Sequence, residues 1–117
     1  MITSTQLTNG TDTELYGPNR GATGTNAITV MIFCNTATPN ASDETVNAVS
    51  LELHVVTGGQ SVSESNCIVK NLNIPAGETV FFDTERLVLD ATDFVSGKLT
   101  AVNGTGSITA TVSTLTV

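Results

Sequence analysis

Tryptophan is absent, tyrosine occurs once and phenylalanine only four times. The core must therefore be built from Val, Ile, Leu and Ala, which suits sheets packed face to face. The same scarcity weakens any sugar-binding reading, because a sugar ring is usually held on an exposed aromatic face and only Tyr16 is on offer. Positive charge is as rare: four Lys and Arg stand against eleven Asp and Glu, for a formal net charge of −7. A nucleic-acid backbone or an anionic bilayer would repel such a chain, so no nucleic acid and no membrane are expected as partners.

No apolar run approaches the roughly 18 residues that a spanning helix needs. The opening stretch Met1-Ile2-Thr3-Ser4-Thr5-Gln6 lacks the basic and apolar regions of a secretory signal, so either a cytosolic chain or a mature fragment is expected, with Met1 favouring the former. Cysteine appears twice, at Cys34 and Cys67, each inside an apolar run and neither in a C-x-x-C pair. Buried thiols acting as small hydrophobes are expected there, and whether the two are bonded does not follow from their positions.

Catalytic constellations are missing as well. A Ser or Cys nucleophile needs a base within hydrogen-bond reach, and the sole histidine, His54, sits on the polar side of a strand pattern, where a solvated surface residue is expected. The acids gather at turns: Asp12 with Glu14, Asp43 with Glu44, Asp83 with Glu85, Asp90 with Asp93. Such carboxylates solvate loops. Asp90 and Asp93 are the least unlikely calcium ligands, yet no calcium motif surrounds them. No phosphate-cradling glycine loop is present. The chain reads as a non-enzyme with no catalytic, cofactor-binding or metal site and no cofactor.

What is present points to β structure. Threonine is the commonest residue, and Gly, Ser and Asn are abundant; Thr and Val fit a pleated surface, whereas Ser and Asn compete with helical hydrogen bonds. At 117 residues one domain is expected. Ala27 to Cys34 is almost unbroken in its apolar character and predicts a central strand buried on both faces. In Val49 to Val56, Leu51, Leu53 and Val55 alternate with Glu52 and His54, predicting a strand with one wet face.

Further strands are predicted over Ser65 to Leu72, Thr79 to Phe82 and Arg86 to Leu89, with turns at Ile74 to Gly77 and Asp90 to Asp93. Gly97 to Val102 and Ser107 to Leu115 flank Asn103-Gly104, a two-residue hairpin signal, with Ile108, Ala110 and Val112 facing inwards. Before them, Ile2 to Leu7 and Thr13 to Tyr16 are short extended pieces of a segment, 1–25, expected to wrap the sheets. The polar stretch Asn35 to Asn47 is long for a loop on a compact domain and is either disordered or functional. The whole predicts one antiparallel β-sandwich over 1–117, with jelly-roll and immunoglobulin-like topologies both open.

The stretch Ile68 to Phe82, followed by Leu87-Val88-Leu89, resembles small β-rich virion proteins of tailed bacteriophages. The similarity lies in the Ile74-Pro75-Ala76-Gly77-Glu78-Thr79 turn between strands, the acidic turn Asp90 to Asp93 and the Thr/Val-rich closing strands, with some support from Ile28 to Cys34. The Asn35 to Asn47 loop is longer than the short turn of such proteins. The resemblance implies a structural component of the virion, assembled in the host cytoplasm: chiefly a capsid decoration or cement protein on the major capsid protein lattice, alternatively a neck or tail accessory protein. It implies a homo-oligomer in the particle. The expected docking elements are the Asn35 to Asn47 loop, the N-terminal segment Met1 to Tyr16 or an open sheet edge, which can accept a strand from another chain. A carbohydrate-binding or adhesin-like module is the competing reading.

Overall fold

The β-branched segments become nine strands in the computed structural model, which describes residues 1–83 and 87–117. They are β1 (Ile2–Gln6), β2 (Thr13–Tyr16), β3 (Asn26–Asn35), β4 (Val49–Val56), β5 (Cys67–Ile74), β6 (Thr79–Phe82), β7 (Leu87–Leu89), β8 (Phe94–Val102) and β9 (Ile108–Thr116). Among the described residues, helical backbone is confined to single 3-10 turns at Pro18–Arg20 and Glu64–Asn66. Each predicted strand is present with small shifts at its ends; Arg86, read as the start of β7, lies outside the described residues.

The pairing is that of a double ribbon folded over on itself. First pairs with last and so inwards: β1 with β9, β2 with β8, β3 with β6 and β7, β4 with β5, all antiparallel. Rolling the ribbon then joins β9 to β3 and β8 to β4. The result is two sheets, a five-stranded one in the order β1-β9-β3-β6 with β7 also on β3, and a four-stranded one in the order β2-β8-β4-β5. This is the jelly-roll order, and it excludes the immunoglobulin arrangement, in which the first two strands lie side by side.

The predicted Asn103-Gly104 hairpin does not form. β8 and β9 lie in different sheets, and the link between them is a crossover closed by the Gly106 N–H donating to the Asn103 carbonyl at 3.0 Å. A two-residue type I′ turn needs positive φ at both central residues, whereas only Gly104, at φ 54°, has it. The link is instead tied to the neighbouring loop: the Asn103 N–H donates to the Ala48 carbonyl at 3.0 Å and the Thr105 N–H to Asn47 Oδ1 at 2.9 Å. Nor does 1–25 simply wrap the sheets, because β1 and β2 are each the edge strand of one of them.

The core between the sheets is aliphatic apart from Phe33 and Tyr16, with Met31, Leu51, Leu53, Ile74, Ile108 and Val112 among its sealed members. Gly97 is part of this packing: a Cβ there would stand 3.1–3.3 Å from Leu15, Leu7 and Leu53. In β3 an extra residue, Thr29, bulges out between Ile28 and Val30, and its hydroxyl donates to the Ser113 carbonyl at 3.0 Å. The bulge resets the alternation, so Ile28 and Met31 both face inwards.

One end of the sandwich is pinned by asparagines. Asn35, fully buried at the end of β3, donates through Nδ2 to the Asn47 and Ile74 carbonyls, both at 2.9 Å. Its Oδ1 accepts from the Ala37 N–H at 3.1 Å and the Ser107 N–H at 3.4 Å. The segment after it is thus fastened to the ends of β5 and β9, and Asn47 Nδ2 donating to the Thr38 carbonyl at 3.2 Å closes it on itself. The predicted Ile74 to Gly77 turn forms beside it, with the Glu78 N–H donating to the Pro75 carbonyl at 3.2 Å and Gly77 at φ 77°.

Candidate functional site

The two sheets differ in charge. The strands β1, β3, β6, β7 and β9 contain no Asp, Glu, Lys or Arg at all, whereas β2, β4, β5 and β8 carry Glu14, Glu52, Lys70 and Lys98. In a chain of net charge −7, one whole sheet is neutral.

The register fixes what that sheet shows to the outside. One row across it runs Val88, Ala27, Leu115; a second runs Val30, Ser113, Ile2; a third runs Phe81, Ile32, Thr111, Ser4; a fourth runs Thr79, Cys34, Thr109, Gln6. The β3, β6 and β7 side is apolar, and the β1 and β9 side is mostly Ser, Thr and Gln. Phe81 is 68% exposed, Leu115 64% and Val88 48%. Single exposed apolar residues are ordinary, but a contiguous apolar patch with a polar hydroxyl rim marks an interaction surface. The expectation that β3 is buried on both faces is met on one side only: Met31 and Phe33 are sealed, while Val30, Ile32 and Cys34 on the other side are half-buried.

The outer face of the four-stranded sheet is different. The predicted wet side of β4 is closed: Glu52 is 7% and His54 3% exposed, and Val56 is sealed. Glu52 Oε1 lies 3.3 Å from both His54 Nε2 and Lys98 Nζ, and its Oε2 lies 3.6 Å from Lys70 Nζ. Burial works against ionisation of Glu52, but hydrogen bonds from His54 and Lys98 and the charges of Lys98 and Lys70 outweigh it and hold its pKa below the ordinary value. Asn66 Oδ1 accepts from the Ser63 N–H at 3.1 Å while its Nδ2 donates to the Ser61 carbonyl at 2.9 Å. The amide orientation is thereby set, and its Oδ1 lies 2.9 Å from His54 Nδ1. His54 is a buried residue anchoring the turn before β5: its two ring nitrogens contact Asn66 and Glu52, and the ring is hydrogen-bonded to neither of its cross-strand neighbours, Ser96 and Cys67.

Of the other residues singled out in the sequence, Glu85 lies outside the described residues, and the rest fall apart spatially. Asp93 spends its carboxylate on the Gly58 N–H at 2.9 Å and the Asp90 N–H at 3.0 Å, which makes it a turn residue. Among the described residues no three His, Cys, Asp or Glu side chains converge, and no helix is long and apolar enough to cross a membrane. Tyr16 is 1% exposed and packs in the core, so it cannot stack on a sugar ring. Cys34 and Cys67 are both free and half-buried, in different sheets. A shallow depression lined by Gln6, Thr8, Asn9 and Ser107 holds no charged side chain.

Three of the four sheet edges are blunted. On β1, Arg20 Nη2 donates to the Ser4 carbonyl at 3.1 Å and also meets Thr5 Oγ1. On β2, the Thr3 hydroxyl donates to the Leu15 carbonyl at 2.9 Å. The β5 edge slips register with β4 twice, by one extra residue each time, and bulges of this kind deter strand addition. The open edge expected as a docking element is therefore closed at β1, β2 and β5.

A scan against protein-family models finds no match for this chain, and a search of the curated proteins finds none. The functional reading rests on the molecule itself. The neutral sheet was the feature missed from the sequence, although its signal is there: charged residues avoid every segment that the fold assigns to that sheet.

Proposed function

We propose that this protein is a non-enzymatic structural component of a tailed-bacteriophage virion, a decoration or cement protein held on the major capsid protein lattice. The observation that carries this reading is the charge-free outer face of the five-stranded sheet, with Phe81, Ile32, Val88 and Leu115 presented to solvent. An acidic chain gains nothing from leaving these residues wet, and gains an interface when they are covered. The resemblance carried by Ile74 to Thr79 and the closing strands supplies the particle context. Jelly rolls recur in viral capsid domains, which supports the context by analogy of fold alone. Many copies on a symmetric shell need only a modest contact each.

The test is light scattering and co-sedimentation of the purified chain with phage heads stripped of their accessory proteins. Saturable binding at a fixed copy number is expected. A chain that ignores heads, and necks and tails besides, contradicts the proposal. Among non-capsid functions, a sugar-binding role receives no support, because the one tyrosine is in the core.

A further inference from the structure

We infer that the neutral sheet face is covered by a second copy of this chain, in a two-fold dimer that stacks the two five-stranded sheets back to back. The inference rests on the reading of this face as an assembly surface and names its partner.

Charge selects the occupant. Each copy carries −7, so two copies repel least where they meet on an uncharged surface, and the strands of the five-stranded sheet offer the one sheet face with no charged side chain among the described residues. The charged strands β2, β4, β5 and β8 then lie on the far sides of the pair. Pairing by strand addition is obstructed at β1 by Arg20, at β2 by Thr3 and at β5 by its two bulges. The fourth edge is made of β6 and β7, only four and three residues long, which offer an added strand a short ladder, so the broad face is the larger contact.

The size fits a weak, reversible pair. With about 3.3 Å per residue along a strand and about 4.8 Å between strands, the outer face from Ala27 to Cys34 and from β6 to β1 spans at most roughly 25 by 19 Å. That is up to about 500 Å² per copy and about 1,000 Å² for a pair, the range of transient contacts. The face is also self-complementary in kind: Phe81, Ile32, Val88, Ala27 and Leu115 form its apolar half, and a two-fold axis sets apolar half on apolar half in an isologous contact. Sheets packed in this way stack about 10 Å apart. β3, half-covered in one copy, becomes buried on both faces in the pair, as its unbroken apolar sequence demands.

Sedimentation velocity of the full chain over a concentration series, without any particle, tests this. A monomer–dimer equilibrium in the micromolar range is expected, tightening as salt rises, because screening relieves the repulsion between two −7 copies. Phe81→Lys and Val88→Lys, both at exposed positions that leave the core intact, are each expected to raise the dissociation constant at least about tenfold, since the two-fold axis installs each lysine twice. Asn71→Lys, the same charge change at an exposed position of β5 on the opposite sheet, is expected to leave it unchanged. A wild-type chain that stays monomeric at high concentration and high salt overturns the inference, as does a dimer indifferent to both lysine variants. A monomer that still docks on stripped heads through Phe81 overturns it while leaving the proposed function standing; a Phe81-dependent dimer that ignores virion components sustains it and overturns that function instead.

Discussion

Replacing Asn35 by Ala removes the side chain that fastens one end of the sandwich. Four hydrogen bonds are lost, to the Asn47 and Ile74 carbonyls and from the Ala37 and Ser107 N–H groups, at a position of zero exposure. A net contribution of about 1 kcal/mol per bond gives about 3–4 kcal/mol, and stranding buried partners without replacement pushes the figure towards the top of that range. Against a total stability of about 5–15 kcal/mol this is a large fraction, and at about 4 °C per kcal/mol it lowers Tm by about 12–16 °C. Urea unfolding followed by far-UV circular dichroism measures the loss, since there is no tryptophan to report. Asn40→Ala is the control: Asn40 Oδ1 accepts from the Ser42 and Asp43 N–H groups on an exposed turn, and its removal should cost no more than about 0.5 kcal/mol. A loss below about 1 kcal/mol for Asn35→Ala would refute the pinning role.

Glu52 sets a pH dependence. Its folded pKa lies below the ordinary value of 4.5, so its contribution is complete above that value and is lost as pH falls through the lower, folded one. Urea midpoints of the wild type should decline on acidification below about pH 4.5, and those of Glu52→Gln should decline less over the same window while starting lower at neutral pH. Gly104→Ala forces a side chain into a backbone at φ 54°, with the new Cβ 2.3 Å from Asn47 Oδ1; a loss of about 1–3 kcal/mol in the same assay is expected. Arg20→Ala uncovers the Ser4 carbonyl on the β1 edge, and faster growth of large aggregates by light scattering, with little change in urea midpoint, is the expected result.

The strands were legible because the side-chain period speaks for itself: Ile108, Ala110 and Val112 alternate with threonines and face the core as read. Connections were less so. Asn103-Gly104 announces a turn, but a turn signal does not say whether the chain returns in the same sheet, and here Asn47 and Ala48 draw it across to the other. Polar residues misled in the opposite sense. Glu52 and His54 were read as wet, yet they are buried because Lys98, Lys70 and Asn66, distant in sequence, satisfy them. Asn35 looked like the first residue of a loop, and only the fold reveals that it is the residue ordering that loop. The neutral face required the strand order, since the five strands that compose it are scattered from Ile2 to Thr116.

Binding of the wild type and Phe81→Lys to phage heads stripped of accessory proteins tests the central claim most directly. The account predicts saturable binding of the wild type at a fixed copy number, weakened at least about tenfold by the lysine because loss of the pair removes its avidity. No binding by the wild type, or equal binding by both chains, would contradict it.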